Sequence, residues 1–241
     1  MIDVFGNLTI CVAALAALIG LIDVATEIEA KWFWILLAIG IGLWFIAESL
    51  WAILEVLVGI ELPYPSIADF FWLIGFPFII IAFVKGRGQF FSLSHQLVAC
   101  VIVSAALVFL ILAYILLPII KSDLDLTEKM LDTAYPLLDS VIFIFALYFF
   151  FITYRQLNLD AAKPWLLLSF AFILFIGSDT AFSYFTFQGI YEEWPYYLID
   201  IPYMFAYFFI FLACRAKKQV IYKFSKVIKK QESALRKKGL I

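Results

Sequence analysis

Two acids each stand in the middle of an apolar run: Glu48 in "WFIAESLWAIL" and Asp179 in "FIGSDTAFSYF". An ionised carboxylate deep in hydrocarbon costs about 2.5–3.5 kcal/mol on insertion scales, so such residues normally face a bundle interior or a wet cavity. Three aspartates stand at the heads of other apolar runs: Asp69 in "PYPSIADFFWLIGFPF", Asp139 in "AYPLLDSVIFIFALYFF" and Asp200 in "PYYLIDIPYMFAYFF". Glu55 lies two turns beyond Glu48. Acids without a basic partner can bind a cation, exchange a proton or hydrogen-bond a neutral polar ligand, and they repel anions. The three entrance aspartates also have a structural reading as helix N-caps that favour the dipole. The deep pair has one as an interhelical hydrogen bond. Trp44, Trp51, Trp72, Tyr64, Tyr184, Tyr197 and Tyr203 flank these positions. Their faces suit a cation, and their types also suit an interfacial belt. The expected ligand-binding set is Glu48, Asp179, Asp69, Asp200, Asp139 and Glu55, with Trp44, Trp51 and Tyr184. No residue is assigned a catalytic role.

The elements that must carry these residues are membrane spans. The chain has 241 residues, 66% hydrophobic and 19% aromatic, with a mean hydropathy of +1.04, against roughly 45–50% apolar for soluble domains. Runs of ~20 apolar residues cross a bilayer, and seven are expected: roughly 5–25, 33–57, 67–84, 97–118, 134–154, 165–188 and 197–214. The runs are continuous rather than alternating, which excludes a sheet barrel. The fold class is therefore an all-α integral membrane protein. The first run has only Asp3 before it and no basic flank, so it reads as a mature helix rather than a cleaved signal.

Orientation follows the basic residues. Lys31, Lys85, Arg87, Arg155 and Lys163 fall in loops one, three and five, and ten more lie between Arg215 and Lys238. The other loops hold Lys121 and Lys129 against Glu61, Asp123, Asp125, Glu128, Asp132, Glu192 and Glu193. The N-terminus is expected outside and the C-terminus in the cytoplasm, in the plasma membrane of a prokaryote. The acids then share the outer leaflet.

Sliding the sequence along itself by an offset of 131 places Trp34 on Trp165, Glu48 on Asp179 and Asp69 on Asp200, with no gap over two helices and their loop. Asp3 pairs similarly with Asp139 after a five-residue shift. Acid-on-acid coincidences inside apolar runs point to a 3+1+3 parallel repeat. Residues 1–86 form repeat one, helix 97–118 the linker and 133–214 repeat two. Residues 215–241 form a basic tail whose apolar positions Ile221, Phe224, Ile228 and Leu235 fit an amphipathic helix. Lys217, Lys218, Lys223, Lys226, Lys229 and Lys230 are expected at the anionic inner membrane surface. The same spacing is a two-repeat heptad, which permits a homodimer. Nucleic acid is not an expected partner.

Cys11, Cys100 and Cys214 show no metal-ligand spacing and read as small apolar residues. The single histidine, His95, argues against a multi-histidine zinc or haem site, and no cofactor is expected.

The series "YPSIADFFWLIGFP", "AYPLLDSVIFIFALYFF" and "ILFIGSDTAFSYFTFQGIY…YYLIDIPYMFAYFF" resembles the membrane-embedded N-terminal sensor regions of archaeal and bacterial signalling proteins. Those regions precede histidine-kinase, PAS or diguanylate-cyclase outputs. The resemblance covers roughly residues 30 to 214 and implies a sensory module. No output domain follows within this sequence, so it implies either a separate cytoplasmic output protein or a longer chain. The layout is also similar to microbial rhodopsins and to SWEET and PQ-loop transporters, in architecture only. No span contains a lysine, so retinal has no attachment point, and no Pro-Gln dipeptide occurs.

Three functions follow as expectations. The first is a receptor-like module in which a small ligand, cation or proton in an outer acidic–aromatic cavity signals through helix seven to the tail. The second is a small-solute or proton-coupled transporter, suggested by the duplication. The third is an intramembrane aspartyl hydrolase, because Asp139 and Asp179 lie on neighbouring spans and "FIGSD" is similar to the Gly-x-Gly-Asp of such proteases, with Ser178 at the second glycine. The third requires the two carboxyls within reach of a shared proton or one water.

Overall fold

A computed structural model describes residues 4–27, 32–60, 63–86, 95–154, 159–189 and 198–237. Among them every regular element is helical: α1 (Val4–Glu27), α2 (Trp32–Ala52), α3 (Ile67–Gly86), α4 (His95–Ile111), α5 (Leu117–Lys121), α6 (Leu126–Tyr154), α7 (Leu159–Phe187) and α8 (Asp200–Lys237). Asp3, Lys31, Glu61, Arg87, Arg155, Glu192, Glu193, Tyr197 and Lys238 lie outside the described residues.

Five helical stretches are long and apolar enough to cross a membrane: Val4–Glu27, Trp32–Val58, Ile67–Gly86, Leu126–Phe151 and Asp160–Phe187. These are the runs expected at 5–25, 33–57, 67–84, 134–154 and 165–188. The other two differ for physical reasons. The run expected at 97–118 is helical throughout, but changes character: α4 has 17 residues and continues through π-helical turns at Leu112–Leu116 into the short α5. Pro118 there cannot donate to the carbonyl four residues back, and the wider π turn accommodates the gap. In α8 the apolar stretch between Asp200 and Arg215 falls short of the ~20 residues that a span needs, yet the helix continues through the charged segment to Lys237. Lysine, glutamine, glutamate and alanine are good helix formers, so apolarity ends there while the helix does not.

α2 is extended by π-helical turns at Ile53–Val58 and closed by Gly59, whose φ of 82° is the left-handed conformation that glycine adopts without strain. α2 and α3 approach closely where Gly40 and Gly75 meet. A Cβ on Gly75 would lie 2.4 Å from Trp44 Cδ1 and 3.1 Å from the Gly40 carbonyl oxygen. Small residues at a crossing let membrane helices pack by dispersion where no hydrophobic force separates them from lipid.

α1 packs on α2 and α8, α2 on α3, α3 on α6, α6 on α7 and α4, and α7 on α8. The middle of the bundle is a column of rings between α2 and α7. Trp34 meets Trp165 at 5.8 Å between centroids, Trp44 meets Phe175 at 5.0 Å and Trp51 meets Phe182 at 6.0 Å. Each pair is related by the same offset of 131. That the offset holds from Trp34 to Trp51 means that α2 and α7 run in the same direction. Offset and edge-to-face ring pairs of this kind add about 0.5–1.5 kcal/mol each beyond area burial.

Candidate functional site

One end of the bundle gathers the acids, and each is placed by the helix that carries it. Glu48 lies in the last turns of α2, just before its π-helical extension, and Asp179 about seven-tenths of the way along α7, both half-buried. Tyrosines serve them from α8. The Tyr207 hydroxyl donates to Glu48 Oε1 at 2.8 Å, and the Tyr203 hydroxyl donates to Asp179 Oδ1. Tyr203 and Tyr207 are one helical turn apart and therefore share one face of α8. The Trp72 indole lies close enough to Glu48 to supply a second donor. Asp179 has no second donor of that kind among the described residues. Its neighbour is Asp139 of α6, which is 1% exposed and whose two oxygens find no donor.

A second layer lies nearer the helix entrances. Asp69, 3% exposed, uses one oxygen to cap α3: Ser66 N–H donates to Oδ2 at 2.6 Å, and Ala68 N–H donates back to Ser66 Oγ at 3.2 Å. Ser66 is thus the N-cap, its hydroxyl taking the second helical N–H, and Asp69 reaches back from the third helical position as the acid of a capping box does. Its other oxygen, Oδ1, accepts the Tyr135 hydroxyl of α6 at 2.8 Å. One turn earlier on α6, Asp132 accepts the Tyr64 hydroxyl at 2.5 Å. Asp69 thus both steadies the start of α3, as its third residue and not as the N-cap itself, and bonds across to α6. Glu55, in the π turns, accepts from Asn7 Nδ2 at 2.9 Å and from Trp51 Nε1 at 3.0 Å.

Of the expected residues, Glu48, Asp179 and Asp139 come together, with Asp69 joined through Tyr135 on the helix that carries Asp139. Trp51 serves Glu55. Trp44 is 3% exposed, donates Nε1–H to the Trp72 carbonyl at 3.0 Å and packs on Phe76, Phe172 and Phe175, so it belongs to the core. Tyr184 is 43% exposed with its ring against Phe185, apart from the acids. Asp200 opens α8, half-buried. Sequence reasoning missed Tyr207, Tyr135, Asn7 and the part played by Asp132. A signal for Tyr207 was present: the same offset of 131 that pairs Glu48 with Asp179 pairs Trp72 with Tyr203 and Phe76 with Tyr207.

No described cation bonds to Glu48, Asp69, Asp132, Asp139 or Asp179. The donors are neutral hydroxyls, an indole and a backbone N–H, which can hold a carboxyl or a carboxylate. Among the described residues no three histidine, cysteine, aspartate or glutamate side chains are close enough together to hold a metal ion.

The opposite end carries the lysines of α8. Lys218 Nζ lies 2.7 Å from Asp23 and 3.1 Å from Glu27, both of α1. These carboxyls raise its pKa above the ordinary lysine value. Lys217 stands 5.7 Å from the centroid of the Trp165 ring, where burial lowers its pKa. Lys223 pairs with Asp160 of α7 at 2.5 Å. Lys226, Lys229 and Lys230 are exposed. Comparison with known proteins finds no matching family model, no matching curated protein and no matching solved structure.

Proposed function

We infer that this chain is a membrane-embedded sensory module, receptor-like, which answers a small ligand, cation or proton at its acid–tyrosine network and signals through α8. One observation carries this reading. Tyr203 and Tyr207, on one face of α8, hold the deep acids of α7 and α2, and α8 runs unbroken from Asp200 to Lys237. Any guest that competes for those hydroxyls changes what positions the helix that forms the tail.

The membrane frame proposed with it has seven spans, N-terminus out and C-terminus in. The helical stretch from His95 to Lys121 and the first part of α8 join the five long apolar helices. The three ring pairs at a constant offset support a parallel 3+1+3 repeat. So does the packing, in which α1 against α8 is matched by α3 against α6. The plasma membrane of a prokaryote is the proposed location. The tail presents Phe224, Val227, Ile228 and Leu235 as exposed apolar residues to a second copy, a cytoplasmic output protein or the inner membrane surface.

The test is a distance measurement between spin labels on tail residues and α3 in lipid nanodiscs, across pH and with added metal ions and amines. A distance that responds, and stops responding in Glu48→Gln or Tyr207→Phe, supports the reading. A tail that stays fixed under every condition removes it.

The adjacency of Asp139 and Asp179 favours a second reading, an intramembrane aspartyl hydrolase, since a shared proton is within reach. Cleavage of lipid-embedded peptides, abolished by Asp139→Asn, is its test. The transporter reading draws on the ring pairs between the proposed halves, and solute flux into liposomes with and without a pH gradient decides it.

A further inference from the structure

The network has one place where neutral protein donors run out. Asp139 is 1% exposed, and neither carboxylate oxygen has a donor within hydrogen-bond distance. Buried polar atoms are nearly always paired, and a buried acceptor left alone is costly. The side chain facing it is Asp179, one of whose oxygens already accepts from Tyr203. Two ionised carboxylates only accept hydrogen bonds, so as anions these neighbours repel and bond nothing between them. A single proton reverses both effects. One carboxyl becomes a donor to the other, the pair closes on itself, and its net charge falls from two to one.

Among the described groups around the pair none bonds to Asp139; the nearby Ser178 hydroxyl on α7, buried and itself unpartnered, does not reach it. From α7 comes Asp179 itself. From α8 come the hydroxyls of Tyr203 and Tyr207, the second committed to Glu48 of α2. On α6, Tyr135 is committed to Asp69 of α3, and Asp132 to Tyr64. α4, which packs along α6, has no titratable residue between Ile102 and Ile111, and Lys121, beyond it, is exposed. No described lysine, arginine or histidine bonds to either acid. A divalent ion is not favoured, because no third described histidine, cysteine, aspartate or glutamate stands close enough.

We propose that Asp139 and Asp179 form a proton-binding site that holds one proton between their carboxyls, with Tyr203 donating to the oxygen of Asp179 that is left outside the shared bond. The ligand of this site is a proton. The site names a ligand for the sensory reading and depends on that reading only for what protonation does to α8.

The test is infrared difference spectroscopy on the full chain in nanodiscs, scanned in pH. A protonated-carboxyl stretching band is expected to persist at neutral pH, where ordinary aspartates are ionised. It should shift in D2O, shift again on carbon-13 labelling of aspartate, and vanish in both Asp139→Asn and Asp179→Asn. Asp132→Asn should keep it. The labelled wild-type protein needs no substitution, so the result does not hang on a variant that fails to fold. No band at neutral pH, or a band that aspartate labelling leaves in place (which would assign it to Glu48 or Glu55), overturns the proposal. A band behaving as expected beside a tail distance insensitive to pH keeps the proton site and removes proton sensing.

Discussion

Glu48 and Asp179 occupy the same place on two parallel helices, related by the offset of 131, and are served differently. Glu48 has the Tyr207 hydroxyl and lies near the Trp72 indole. Asp179 has the Tyr203 hydroxyl and another acid, Asp139. The difference traces to single residues. Trp72 and Tyr203 correspond at that offset, Tyr203 bonded to Asp179 and Trp72 beside Glu48. Phe76 corresponds to Tyr207 but has no hydroxyl to send across. One acid is therefore satisfied by neutral protein donors, while the other is left in a pair that only a proton completes. Two acids at matching places on α2 and α7 thus differ in their surroundings by one hydroxyl.

The largest expected effect lies in the frame. Gly75 corresponds to Ala206 and Trp44 to Phe175, so a smaller residue stands in the half with the larger ring. Gly75→Ala drives its new Cβ into Trp44 and is expected to cost up to about 3 kcal/mol by overpacking. Adding Trp44→Phe, which reproduces the pair of the other half, should restore part of the loss in thermal unfolding in detergent. Failure to restore any would mean that the halves match in sequence but not in packing.

Next come the hydroxyls. Tyr203→Phe removes the hydroxyl donor of Asp179, whereas Tyr207→Phe leaves Glu48 beside Trp72. Both should destabilise, by about 1–3 kcal/mol for a buried group left unsatisfied, with Tyr203→Phe the larger in the same assay. Equal losses would erase the distinction between the two acids. Phe76→Tyr sharpens it from the other side. A hydroxyl at the place matching Tyr207 should stabilise by up to about 1 kcal/mol if it reaches Asp179, and it should change the band assigned to the Asp139–Asp179 pair. An unaltered band and lower stability would show that the hydroxyl points elsewhere.

The smallest effect is at the cation end. The pKa of Lys218 is raised by Asp23 and Glu27, so this ion pair contributes in full below the ordinary lysine value of 10.5. The contribution fades as pH rises through the elevated value, when the lysine loses its charge. The side chains are partly exposed, so the pair is screened. Lys218→Ala should leave melting temperature nearly unchanged while loosening the tail-to-α1 distance. One molar salt should mimic it and leave the tyrosine-held acids untouched.

Much of the frame was legible because a bilayer imposes length and apolarity on each span: five expected runs lie within long apolar helices, though α6 and α7 begin several residues earlier than the runs do. The course of α8 was not, because hydropathy reports where the oil stops and says nothing about where a helix stops. Between Arg215 and Lys237 good helix formers simply continue it. The acids stood out because they are costly where they are. Their partners did not, because tyrosine is equally at home in an interfacial belt, and composition cannot tell a belt hydroxyl from one aimed inward. Tyr207 became readable only once Phe76 was recognised as its counterpart. Asp132 read as a loop charge, since helix α6 begins at Leu126, before the apolar run does.

The unbroken length of α8 gives the bundle a lever arm. From Tyr203 to Lys237 is ~51 Å at the helical rise of ~1.5 Å per residue. A tilt of about 5° at the tyrosines, if the rod stays stiff, swings its far end by about 4 Å. That is nearly the width of a side chain, produced by an adjustment at the acids too small to break a single hydrogen bond of the helix itself.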